Sequence, residues 1–103
     1  MLLAQDTRLL VSIASCWEIA IKSGLGKLDL PSPAANYIPR ALRESRLEPL
    51  AIGLDDALYV ADLPLLHGDP FDRLIIAQAL RRDLRVVTSD RRFAAYGVRV
   101  LDP

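Results

Sequence analysis

Short apolar, β-branched runs alternate with helix-forming segments along this chain, and that alternation constrains the fold more than any other feature. "RLLVSIAS" is followed by "SCWEIAIKSG", which carries Trp17, Ile19, Ala20 and Ile21 and ends at a glycine, so a strand over 8–14 leads into a helix over 15–24. After the loop "LGKLDLPSP", residues 34–46 form a helix broken or bent at Pro39. A strand over 47–52 follows, confined to a sheet edge by Pro49. "LDDALYVADL" reads as a helix over 54–63 capped by Asp55, and "PFDRLIIAQALRRD" as a longer helix over 70–83. "LRVVTS" is a buried strand, "DRRFAAYG" a last turn of helix over 90–97, and "VRVL" a terminal strand over 98–101. Strands alternating with helices imply an α/β fold, a parallel sheet covered on its faces.

The chain has 103 residues, 51% of them hydrophobic and 25% charged, which suits a single domain over residues 1–103 with one core. Thirteen basic residues balance thirteen acidic ones, so no overall basic field points to nucleic acid, although a local patch is compatible with that balance. Cys16 is alone, and no Cys/His spacing suits zinc, which favours a reducing compartment. Without a membrane-length apolar run or a signal-peptide pattern at "MLLAQDTRLL", a cytoplasmic location is expected.

In open parallel sheets, ligands bind beyond the carboxyl ends of the strands. Three acids belong there: Glu18 after strand 8–14, Asp72 in the first turn of helix 70–83, and Asp90 after strand 84–88. Gathered carboxylates repel one another, and a hard divalent cation, Mg²⁺ or Mn²⁺, is the usual reason to keep them ionised together. Such a cation would activate water and stabilise a phosphodiester transition state, which is nuclease chemistry.

Each acid also has a simpler explanation. Ser15 and Glu18 have the spacing of a capping box, and Glu18 faces Lys22 one turn on. Asp69, Pro70 and Asp72 make a good helix start, and Asp90 can cap "RRFAAY". Asp72, however, shares its stripe with Ile75, Ile76 and Ala79, which places it at the head of a face turned toward the sheet. His67 stands alone in a Pro/Gly loop, and its expected role is structural. Arg73 and the pairs Arg81/Arg82 and Arg91/Arg92 are solvated helix positions or contacts to phosphate.

Together "SIASCWEIAIKSGLGKLDLP", "LPLLHGDPFDRLIIAQAL" and "VVTSDRRFAAYGVRVL" closely resemble the PIN-domain family, in particular the VapC-type toxin ribonucleases. The resemblance covers nearly the whole chain. It implies a Mg²⁺-dependent endoribonuclease of a toxin-antitoxin pair, acting on structured or messenger RNA and inhibited by a cognate antitoxin, with a homodimer as a further association. By position, Glu18, Asp72 and Asp90 match the family's catalytic and metal-binding acids. Asp69 and Thr88 are candidates to support them from behind, and Arg73, Arg91 and Arg92 to contact phosphate.

The sequence departs from the family pattern at its beginning, where a strand ending in Asp-Thr and two helices are expected. Asp6-Thr7 is a poor substitute, because Asp6 precedes strand 8–14 while Glu18 follows it, and seven extended residues span about 23 Å. Three of four family acids therefore have counterparts, and a shortened domain is expected. In a family sheet ordered 3-2-1-4-5, the central first strand would be the missing one. Strands 8–14 and 84–88 would then either pair directly or keep open edges. The alternative function is a non-catalytic remnant that binds an antitoxin or partner subunit through apolar helices such as 34–46. A receiver-like α/β domain ranks below both, because Asp55-Asp56 open a helix instead of closing a first strand.

Overall fold

The computed structural model describes residues 1–103. Its elements are β1 (Leu2–Leu3), β2 (Leu9–Ser12), α1 (Ile13–Gly24), α2 (Ala34–Ser45), β3 (Glu48–Leu50), α3 (Leu54–Tyr59), α4 (Pro70–Arg82), β4 (Arg85–Val87) and β5 (Val100–Leu101). Short 3₁₀ turns at Val60–Asp62 and Ala94–Tyr96 complete the chain. The α/β class is as expected, and the five strands lie in the order β3-β2-β1-β4-β5.

The sheet is mixed, which corrects the expectation of all-parallel pairing. β2 with β3 and β4 with β5 are parallel, but β1 runs antiparallel to both of its neighbours. The expected central gap is absent for the same reason. Leu2 lies between Leu10 and Val86, Leu3 lies between Leu9 and Arg85, and the Val87 amide donates to the Met1 carbonyl at 2.8 Å. The sequence pattern assigns no element to "MLLA", yet this hydrophobic segment is short enough to fold back as a hairpin. The turn closes with the Thr7 amide donating to the Ala4 carbonyl and the Ala4 amide to that of Arg8. Leu2 is 1% exposed and joins the core formed by Leu10, Ile76, Ala77, Val86 and Phe93.

Several boundaries shift for local reasons. β2 stops at Ser12, whose hydroxyl accepts from the Ala14 amide at 3.1 Å and so starts α1 two residues earlier than expected. Glu18 therefore lies in the middle of α1 and makes no capping box. α2 is continuous through Pro39, whose ring nitrogen removes one backbone donor from the helix. β3 occupies the sheet edge with Pro49 inside it, as the proline requires. α4 begins as expected, with Asp69 accepting from the Phe71 and Asp72 amides at 2.9 and 3.2 Å.

α3 is shorter than expected and is capped by Gly53 rather than Asp55. Its Asp56 is fully buried, at 0% exposure. The carboxylate accepts from the Gly53 amide at 2.8 Å, Arg81 Nη1 at 3.0 Å and Arg82 Nη2 at 2.8 Å, which ties α3 to the last turn of α4. Burial alone would raise its pKa. The Arg82 guanidinium, the Gly53 amide and Gln78 outweigh burial and hold it at about 2.

A depressed folded-state pKa contributes stability above the ordinary carboxylate range, and that stability is lost as pH falls through about 2. Asp56→Ala removes the acceptor from two guanidiniums and should cost roughly 2 to 4 kcal/mol at neutral pH. Urea unfolding at pH 7 and at pH 3 should show the gap between wild type and variant narrowing in acid. A gap independent of pH contradicts the assigned ion pair.

Candidate functional site

Three segments meet at the rim beyond the carboxyl ends of β2 and β4. α1 contributes Glu18, the first turn of α4 contributes Asp72, and the loop after β4 contributes Asp90. α1 and α4 are locked beside the acids by an edge-to-face contact between Trp17 and Phe71, with ring centroids 5.2 Å apart. The sequence places both aromatics next to an acid, but their pairing depends on helix packing.

Asp72 is the most enclosed of the three, with its side chain 18% exposed. Burial, and then the neighbouring Asp69 carboxylate, push its pKa above the ordinary value; His67 and Arg92 pull the other way, and Glu18 adds a smaller push. The influence of Glu18 on Asp72 is consistent with both acids lying at one rim. Asp90 behaves in the opposite way. The Arg92 side chain and then the Arg92 amide hydrogen-bond to it and hold its pKa at about 2.

Arg92 links two of the acids. Its Nε lies 3.1 Å from each Asp90 carboxylate oxygen, and its Nη2 lies 2.7 Å from Asp90 Oδ2 and 3.6 Å from Asp72 Oδ2. Glu18 pairs instead with Lys22 at 3.2 Å, the i,i+4 contact expected from spacing. Each acid at the rim thus has an internal basic partner.

The remaining candidates fall into clear groups. Thr88 Oγ1 accepts from the Asp90 amide at 3.1 Å and fixes the turn that carries this acid. Asp69 caps α4 beneath Asp72. His67 Nδ1 accepts from the Asp69 amide at 3.3 Å, its ring meets Tyr96 edge-on, and its Nε2 is buried without a partner. The structural role expected for His67 is visible in these contacts. Arg91 is exposed beside the rim. Arg73 donates to the carbonyls of Pro64 and Val60 and to Tyr96 Oη, so it braces the 60–67 loop and is not directed toward a phosphate. Arg81 and Arg82 are committed to Asp56. Asp6 lies in the β1–β2 turn at the amino end of β2, paired with Arg8 at 2.8 Å.

The donor set, all carboxylate oxygen, suits a hard divalent cation in kind, and the Arg92 guanidinium stands between Asp72 and Asp90 as a cation would. In this arrangement, no three His, Cys, Asp or Glu side chains are gathered closely enough to hold a metal ion.

The family model described as "PIN domain" matches residues 2–98. Ribonuclease VapC16 of Mycobacterium tuberculosis is 46% identical over 52 residues, which cover 48% of this chain and 37% of that protein. The chain thus matches little more than a third of the length of this curated relative.

Asp69 has separable roles as a cap and as a charge. Asp69→Ala should cost about 1 kcal/mol of stability through the lost cap, whereas Asp69→Asn keeps an acceptor and should cost a few tenths. Removing the charge should also lower the Asp72 pKa, read by carboxyl ¹³C titration of Asp69→Asn. An unchanged Asp72 titration contradicts the assigned coupling.

Proposed function

Because the chain belongs to the PIN-domain family, we propose that its acidic rim is the site of a divalent-cation-dependent endoribonuclease of the kind found in toxin-antitoxin pairs. The observation that carries this reading is the meeting of Glu18, Asp72 and Asp90 at one rim, although they come from three distant parts of the sequence. The similarity to a protein named as a ribonuclease supports RNA as the substrate.

In this reading, Asp72, Glu18 and Asp90 hold Mg²⁺ or Mn²⁺. When bound, the cation supplies Lewis acidity toward a phosphodiester and a more acidic water. Asp72 heads the set, because its carboxylate is the most enclosed and the one for which a positive neighbour matters most. Asp69 and Thr88 hold the backbone of the α4 start and of the Asp90 turn, so two of the acids need little backbone ordering. Arg91 and Arg92 are placed to meet phosphate oxygens along the same rim. No helix is long and apolar enough to cross a membrane, and we read the cytoplasm as the site of action.

A specific surface feature favours a second function, binding of an antitoxin or a second copy of the chain without catalysis. Ile13, Ile38, Leu42 and Leu47, with Cys16 and the two prolines Pro39 and Pro49, line a groove of about 400 Å³ between α1, α2 and β3. No α2 residue is fully buried, which leaves this helix able to contribute apolar surface to a partner.

Cleavage of a fluorescent RNA by the purified chain with Mg²⁺ or Mn²⁺ tests the primary proposal. Asp72→Asn should reduce the rate at least a hundredfold while its circular dichroism and melting remain those of a folded protein. Equal rates in wild type and Asp72→Asn rule out the catalytic assignment. Partner binding in a calorimeter, with no detectable uptake of Mg²⁺ by the free chain, favours the second function.

A further inference from the structure

We propose that the outward face of α1, together with the groove between α1, α2 and β3, is a docking surface for an acidic amphipathic helix of another protein. The inference rests on the second function given above and deepens it by naming the chemistry of the partner. It does not involve the acidic rim.

A surface helix ordinarily turns its apolar stripe inward and its charges toward water. α1 keeps apolar residues on the side that faces water. Its exposed positions Ile13, Trp17, Ala20, Ile21 and Gly24 fall together on one side at helical spacing, and Trp17 is 55% exposed. Charge on α1 is confined to Glu18 and Lys22, which neutralise each other at 3.2 Å. Ile13 also lines the groove with Cys16, Ile38 and Leu42, so the exposed face and the groove form one continuous apolar surface. Such a channel beside a helix accepts the i, i+3, i+4 and i+7 anchors of a second helix.

Charge decides between the occupants. Arg40, Arg43 and Arg46 are exposed along α2 and its C-terminal cap, and Arg43 lines the groove itself. None of the three forms an ion pair, whereas Arg8, Arg81, Arg82, Arg92 and Arg99 each meet a carboxylate. Glu44, the one acid of α2, lies outside the groove. An apolar surface bordered by unpaired guanidiniums complements a helix whose apolar stripe is flanked by glutamates or aspartates. A second copy fits less well, because a two-fold contact presents the same patch from both sides and doubles the uncompensated positive charge. The aliphatic Ile13, Ile21, Ile38 and Leu42 offer no donor to an RNA phosphate, and a concave groove does not match a flat bilayer.

Trp17 is the only tryptophan of the chain, so its emission reports directly on this face. The probes are two synthetic amphipathic peptides of about four helical turns, with leucine at the anchor positions and either glutamate or lysine flanking them. The glutamate peptide should shift Trp17 emission to the blue and bind at least about fivefold more tightly than the lysine peptide, an advantage that shrinks as salt rises. The double variant Arg40→Gln/Arg43→Gln, changed only at exposed positions and expected to melt with the wild type, should reduce that preference to about twofold or less. Ile21→Ser should weaken the glutamate peptide about tenfold while leaving the preference intact. Equal binding of the two peptides overturns the acidic partner and leaves the groove as a partner surface. Binding of neither peptide overturns the docking surface as well. Self-association of the free chain that shifts Trp17 emission assigns the face to a second copy, and tighter binding of single-stranded RNA or anionic vesicles than of the glutamate peptide assigns it to those; each overturns the proposal.

Discussion

Two leucines hold this molecule together. Leu2 and Leu3 form the central strand of the sheet and pair on one side with β2 and on the other with β4, each in antiparallel register. Without them, the sheet would be two parallel pairs, β3-β2 and β4-β5, with no hydrogen bonds between them. Glu18 follows β2 of the first pair and Asp90 follows β4 of the second. The common rim of the acids therefore depends on a two-residue strand whose leading leucine is also among the most buried side chains in the core. Packing of α1 on α4 through Trp17 and Phe71 joins the same halves from the helical side.

The elements with a strong periodic or capping signal were legible in the sequence. Asp69-Pro70 marks the start of α4, Pro49 confines β3 to an edge, and the Glu18–Lys22 pair follows from helical spacing. Features that depend on distant partners were less accessible. A two-residue strand has no period to detect, and β1 exists because Leu10 and Val86 offer it neighbours on both sides. Ser15 was the better cap candidate by its Glu three residues later, but the chain turns at Ser12, where β2 ends. Asp55 and Asp56 look alike in "LDDALY", and only the fold shows that Asp56 is buried against two arginines brought in by α4. The candidate acids were identified as a set because each follows a strand or opens a helix. The shared counter-ion of Asp72 and Asp90 was not, since the choice of Arg92 over Arg91 is decided by the turn at Asp90.

The electrostatics separate three acids that look equivalent in sequence. Asp90 is held strongly ionised by Arg92, Glu18 is paired on its own helix, and Asp72 is left enclosed, with burial and Asp69 working against its charge. A carboxylate in that state gains most from a cation, so Asp72 is central to the proposed chemistry even though Asp90 makes the shorter contacts. Membership of the PIN-domain family and the likeness to a ribonuclease over 52 residues give this arrangement its functional direction.

The central claim, that β1 joins the two halves of the sheet so that their acids share one rim, is tested most directly by paramagnetic broadening. Substoichiometric Mn²⁺ added to isotopically labelled protein should broaden the resonances of Glu18, Asp72 and Asp90 together, while those of Asp6 and Asp83 at the opposite end stay sharp. Broadening at Asp72 and Asp90 with Glu18 unaffected would contradict the shared rim, because it would place the β2 half of the molecule away from the half that carries β4.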